Sequence, residues 1–179
     1  MRILGIPGSL RADSLNRRLL EVAADLLPDG VELAVWEGLR DVPPFDEDTE
    51  ETPSVAVAGL RSAVASADAV LIATPEYNGS IPGTLKNALD WASRPNATNV
   101  FRGVPVAVIG ASPGAFGGVW AHGETRRVLG IMGARVLEAG VSLGKASDRL
   151  ADPDDELRTQ LREVIEGLVD EASARSAAA

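Results

Sequence analysis

Ser9, Arg11, Ser14 and Asn16 fall within GSLRADSLNRRL, a polar segment that follows the short apolar run Ile3–Ile6 and the break at Pro7-Gly8. Hydroxyl and amide donors stand here beside a guanidinium with its planar fork. A helix-periodic stretch begins immediately afterwards, so free backbone N–H groups and the positive end of a helix dipole would face the same point. This set suits a phosphate monoester. It lacks the Gly-Lys-Ser/Thr ending of a nucleoside-triphosphate loop and the Gly-x-Gly-x-x-Gly of a dinucleotide site. Ser9, Arg11, Ser14, Leu15 and Asn16 are the residues expected to hold the anion. The same segment also fits a plain capped helix, with Asp13 or Ser14 as the cap and Asn16 in a local turn.

Two further segments have unusual composition. The second, TPEYNGSIPGTLKNALDW, runs from Thr74 to Trp91. Pro75 stiffens its start, Gly79 and Gly83 allow close approach or positive φ, and Asn78 and Ser80 offer donors near the next helix. Tyr77 is the only tyrosine of the chain and sits in a polar loop, where it is able to border a planar ring. A tight loop whose tyrosine packs on its own helix is the alternative. The third segment, GASPGAFGG, spans Gly110 to Gly118 with four glycines in nine residues. Small residues there leave room for a flat ligand against backbone amides, or make a flexible glycine loop.

These segments need elements to place them. The chain has 179 residues, of which 45% are hydrophobic and 24% charged, the composition of one globular domain with a real core. A net charge of −9 opposes nucleic acid and anionic membranes. No apolar run is long enough to span a bilayer and no signal peptide precedes the first strand, so a cytoplasmic protein is expected. With no cysteine and one histidine, His122, a metal site, a disulfide and a hydrolytic triad are all disfavoured. Redox chemistry would have to come from a cofactor.

Strand-like runs occur at Ile3–Ile6, Val31–Trp36, Ala69–Ala73, Val104–Gly110 and Ala134–Glu138, the last running on toward Val141–Leu143. Helix spacing lies between them. Leu15, Leu19, Val22 and Leu26 define the first helix, and Val57, Leu60 and Val64 the second. Leu85, Ala88, Leu89 and Ala92 define a third with Pro82 in its first turn, and Val128 and Met132 belong to a fourth. A C-terminal helix carries Leu157, Leu161, Val164 and Leu168 after an acidic cap with Pro153 at the first helical position. The stretch 43–53 reads as an acidic surface loop. Residues 1–172 are expected to form the domain, and 173–179 a fraying tail. Strands alternating with helices predict an α/β, doubly wound, five-stranded parallel sheet of flavodoxin-like order 2-1-3-4-5, with helices on both faces. All three segments then sit at the carboxyl edge of the sheet. A flavin mononucleotide (FMN) matches them together: phosphate in the first, ribityl chain and ring along the second, and pyrimidine edge against amides of the second and third.

The segments resemble the NADPH-dependent FMN reductase family of the flavodoxin-like superfamily. GSLRADSLNRRL is similar to its G-S-x-R-x-x-S-x-N phosphate loop. TPEYNGSIPGTLKNALDWASR follows its P-E-Y-N-x-S-x-P-G-x-L-K-N-x-x-D-W signature at nearly every position. The likeness extends to about residue 145. It implies Pro75, Glu76, Tyr77, Asn78, Gly79 and Ser80 beside the flavin, and Ser112, Gly114 and Gly117 near its ring. It also implies NADPH or NADH as co-substrate, and a free flavin, quinone, azo dye or metal oxyanion as acceptor. A homodimer or homotetramer with Lys86, Asn87, Asp90 and Trp91 near the interface is implied as well. Val119-Trp120 departs from the small or basic residues of many relatives and leaves the nicotinamide phosphate contacts open.

On this reading the chain is an FMN-dependent NAD(P)H oxidoreductase working by ping-pong turnover. Flavin N5 carries the chemistry, and no side-chain acid or base is needed. A non-enzymatic flavodoxin-type electron carrier is the competing reading. His122 and Arg126 are expected on a solvated or intersubunit helix face, with contact to the nicotinamide phosphate as the alternative. The tryptophans Trp36, Trp91 and Trp120 are expected to pack in the core or at an interface.

Overall fold

The computed structural model describes residues 1–178. The apolar runs become β1 (Arg2–Pro7), β2 (Glu32–Val35), β3 (Ala69–Ala73), β4 (Pro105–Ala111) and β5 (Arg135–Leu143). All pair in parallel, in the order β2-β1-β3-β4-β5. β3 and β4 are buried along their whole length, which explains their unbroken apolar sequence. β2 and β5 are edge strands and partly exposed. β5 continues through Glu138–Gly140 to Leu143, with a register shift opposite Val106 and Val108.

The helices are α1 (Leu15–Ala24), α2 (Val55–Ala65), α3 (Gly83–Ala92), α4 (Val119–Ile131), the single turn α5 (Ala146–Arg149) and α6 (Asp155–Ala177). The period-two alternation of β3 sends Leu71 and Ala73 into one core and Val70 and Ile72 into the other. The first core joins α1 to α6 through Leu19, Leu20, Leu161 and Leu168. The second joins α2, α3 and α4 through Leu60, Leu85, Leu89 and Leu129. Helices therefore cover both faces.

Ser14 accepts from Arg17 N–H (3.2 Å) and Asp154 from Leu157 N–H (2.7 Å), capping α1 and α6. Asp154 is thus the cap, and Pro153 precedes it rather than standing at the first helical position. Pro82 likewise occupies the N-cap of α3, not its first turn. The tail expected to fray from Ser173 is instead helical to Ala177. No glycine or proline follows Gly167, and alanine favours the helix. Ala172 is still buried, and Ser173 Oγ donates to the Val169 carbonyl at 2.7 Å. Ala179 lies outside the described residues. The acidic loop is held by the helix motif beneath it, since Asn87 Nδ2 and Trp91 Nε1 both donate to the Pro43 carbonyl at 2.8 Å.

Candidate functional site

β1, β3 and β4 are neighbours, so the loops after their carboxyl ends meet at one edge. Ser9, Arg11, Ser14, Leu15 and Asn16 from the first loop, Pro75, Glu76 and Tyr77 from the second, and Ser112 from the third line one cleft of about 210 Å³. An adjoining recess of about 420 Å³ shares Arg11 and Tyr77 with it and is otherwise lined by Gly8, Leu10, Pro82, Gly83 and Thr84. Together they reach the size of a small-molecule pocket, about 300 Å³ or more. A separate cleft of about 410 Å³ between α3 and α4, with Arg94, Arg127 and Ile131 in its walls, lies at the opposite, amino-terminal edge.

The first loop keeps most of its polar groups available. Gly8 N–H donates to the Ala73 carbonyl (2.8 Å) and pins the turn to β3, while a Cβ at Gly8 would press on Leu85. Ser9 Oγ accepts from Arg11 N–H (3.3 Å), which leaves its hydroxyl proton free to donate. Ser14 is in the same position, its oxygen capping Arg17. Among the described residues nothing accepts from the Arg11 guanidinium, whereas Arg17 is paired with Glu37 and Arg40 donates to the Leu10 carbonyl at 2.8 Å. Asn16 behaves differently from the free donor expected. It is buried, its Nδ2 donates to the Ala111 carbonyl (3.0 Å), and its Oδ1 accepts from Ala111 N–H (2.8 Å). It stitches the first loop to the third, with a single amide hydrogen left over.

In the second loop, Asn78 and Gly79 both have positive φ, 54° and 73°. Tyr77 and Ser80 exchange backbone hydrogen bonds of 3.2 and 3.1 Å. This is a type I′ turn, for which Asn-Gly is the favoured pair, and it carries Tyr77 out half-exposed. Asn78, Gly79 and Ser80 build that turn and do not line the cleft. The Glu76 carboxylate, although in the cleft wall, accepts from the Trp120 and Ala121 N–H groups at 3.0 and 3.1 Å. Ser80 Oγ donates to Glu124 at 2.6 Å.

In the third loop, Ser112 Oγ accepts from Gly114 N–H (3.1 Å), and the Gly114 carbonyl accepts from Lys145 N–H (2.9 Å). Gly117 has φ 63° and packs so closely on Ser142 that a Cβ would overlap its carbonyl. Gly114 and Gly117 thus shape the loop without lining the cleft.

His122 departs from expectation altogether. It is 7% exposed, with Nδ1 and the Ser142 hydroxyl sharing a hydrogen bond of 2.9 Å and Nε2 without a partner among the described residues. Burial pushes its pKa down to about 4, opposed by the Ile109 carbonyl and assisted by Arg126. Arg126 reaches over β5 to the Glu138 carbonyl (2.8 Å) and carboxylate (2.9 Å). Sequence periodicity did not expose this burial, because the space for the ring is made by Gly110 on β4, where a Cβ would overlap the imidazole.

A sequence model of the NADPH-dependent FMN reductases matches residues 1–148. The chain belongs to this family. It is 35% identical to a quinone reductase of Pseudomonas putida over 166 residues, covering 92% of this chain and 89% of that one. It is 42% identical to an NAD(P)H-dependent FMN reductase of Pseudomonas aeruginosa over 130 residues, covering 72% and 69%. Among solved structures, the flavoenzyme NAD(P)H:acceptor oxidoreductase FerB of Paracoccus denitrificans superposes with a TM-score of 0.86 at 32% identity, over 97% of both chains. No helix of the described residues is long and apolar enough to cross a membrane.

Proposed function

We propose that this chain is an FMN-dependent NAD(P)H oxidoreductase that passes electrons to a quinone-type acceptor, the chemistry that its relatives' names carry. The observation that supports it most is the Arg11 guanidinium, without a partner among the described residues, in one cleft with the Ser9 and Ser14 hydroxyls and the first residues of α1. These are the groups a terminal phosphate needs, placed across from Tyr77. The donor set therefore fits FMN. When bound, the flavin supplies reversible hydride and electron transfer. The protein's part is to anchor and orient. Ser9, Arg11 and Ser14 would hold the phosphate and Leu15 and Pro75 would line its passage. Tyr77 would border the ring, and Ser112 with the backbone of its loop would meet the pyrimidine edge. Glu76, Asn78, Gly79, Ser80, Gly114, Gly117 and Asn16 keep these walls in place.

One open edge implies that nicotinamide and acceptor use the same flavin face in turn. Double-reciprocal plots for NADPH at several quinone concentrations are therefore expected to be parallel. Intersecting plots with a ternary complex would refute the shared site. Tight, reversible redox cycling of bound FMN without turnover would establish the electron carrier instead.

For assembly we propose a homo-oligomer, dimer or tetramer, carried by the exposed apolar residues of α4 and the loop before it, with Ile131 sharing a cleft with Lys86 and Asp90 of α3. Leu85, Leu89 and Trp91 are buried within the chain, whereas Phe116, Val119, Trp120 and Ile131 are exposed. We also propose a cytoplasmic setting and a small-molecule acceptor, with NADPH and NADH both admitted as donors.

A further inference from the structure

We infer that Glu76 and Glu124 form a reciprocal clamp between the second loop and α4, which makes both carboxylates positioning residues for Tyr77. This rests on the flavin reading above for its consequence and on the hydrogen bonds alone for its existence.

α4 starts without a cap of its own. Gly118, its N-cap residue, has φ 84° and no side chain, and no acidic residue lies in the first turn. The orphan N–H groups of Trp120 and Ala121 are taken by a single Glu76 oxygen at 3.0 and 3.1 Å. The cap thus arrives from the second loop, 44 residues earlier in the chain. One turn further along α4, Glu124 reaches back. Its Oε2 accepts from Ser80 Oγ at 2.6 Å and from Ile81 N–H at 3.4 Å. These donors hold the Glu124 carboxyl below the usual carboxylate range.

Only Tyr77, Asn78 and Gly79 lie between the two anchored residues. α4 therefore grips the type I′ turn at both ends, through charge-assisted bonds at the tighter contacts. Tyr77 itself is 49% exposed, and its hydroxyl has no partner among the described residues. Its ring is placed by its backbone, and its backbone by the clamp. The same bonds use the positive end of α4 within the protein. Amide donors for a flavin would then come from the second and third loops rather than from the Trp120 and Ala121 amides of α4.

The clamp is tested first in apoprotein, by amide hydrogen exchange at residue resolution in E76A, E124A and S80A. Exchange at Trp120 and Ala121 is expected to quicken at least tenfold in E76A, and at Ile81 in E124A. In protein loaded with FMN, E124A and S80A are expected to lower the NADPH-driven flavin reduction rate about tenfold, with FMN affinity within about threefold of wild type, since misplacement of reacting groups is costly. E124Q keeps an oxygen that accepts from Ser80 and should recover most of the rate. Unchanged exchange in folded E76A and E124A overturns the clamp. A reduction rate that falls only in step with FMN affinity overturns the positioning role. Should E124A fail to fold, S80A cuts the same bond from the loop side and decides alone. Failure of the wild-type chain to bind FMN would refute the flavin reading and leave the exchange result to judge the clamp.

Discussion

Arg11→Ala should weaken FMN binding about tenfold to fortyfold and leave riboflavin binding within about twofold. Four arginines lie on or near the first loop, but three are engaged: Arg17 with Glu37, Arg18 with the Leu150 carbonyl at 3.3 Å, and Arg40 with the Leu10 carbonyl at 2.8 Å. Arg11 is the one that lines the cleft without an acceptor among the described residues. A hydrogen bond between charged partners contributes about 1.5–3 kcal/mol. Arg11 is exposed, so the lower part of that range applies, and about 1.4 kcal/mol is a factor of ten. The loop should survive the change, because the bond from Arg11 to Ser9 uses the backbone N–H. Quenching of flavin fluorescence on titration with apoprotein gives both affinities. Raising the salt concentration should erode the difference between wild type and variant for FMN. Equal losses for FMN and riboflavin would place Arg11 in loop structure rather than phosphate recognition, and no loss for either would remove it from the site.

His122, neutral and buried in the folded chain, should make stability fall as pH drops from about 6.5 to about 4. In that window the unfolded chain takes up a proton that the native imidazole refuses. The His122 share is about 3 kcal/mol by the linkage relation, and His122→Asn should flatten that part of a denaturation-versus-pH curve. Gly110→Ala should destabilise by about 3 kcal/mol, since its Cβ would overlap both the His122 ring and the Thr74 carbonyl. Equilibrium urea unfolding checks it. Asn16→Ala should cost about 2 kcal/mol or more by stranding the buried Ala111 N–H and carbonyl, in apoprotein as well as holoprotein. If the exposed α4 face carries assembly, Trp120→Arg should lower the mass found by light scattering, whereas a wild-type monomer at micromolar concentration would refute the oligomer.

What the sequence disclosed and what it hid divide along the range of the interactions. β3 and β4 were legible because burial on both faces leaves an uninterrupted apolar run. The α1 start was legible because Ser14 caps the helix that begins at the next residue, through an N–H only three residues on. The Tyr77–Ser80 turn was also within reach, since Asn-Gly between two such residues is a local signal for type I′ geometry. The residues whose roles shifted are those with distant partners. Asn16 has the composition of a phosphate donor, yet its amide is matched to a backbone unit 95 positions away. Glu76 stands inside a cofactor signature and serves as the cap of a helix that begins with glycine. His122 occupies a helix of mixed apolar and charged residues, and only the missing side chain of Gly110 makes room for its ring against β4.

These three share a consequence for function. On the proposed reading, the atoms left to face a ligand at this edge are backbone amides, the Ser9 and Ser14 hydroxyls, Arg11 and Tyr77. The polar side chains that dominate the motifs are spent on holding the three loops against one another. Substitutions within the motifs should therefore divide into two classes. Arg11 variants should change which ligand is preferred while leaving apoprotein stability alone. Asn16, Glu76 and Ser80 variants should alter loop order even in the absence of any ligand. Thermal unfolding of apoprotein variants separates the classes. An Asn16 variant as stable as wild type but defective in FMN binding would return that residue to the phosphate site.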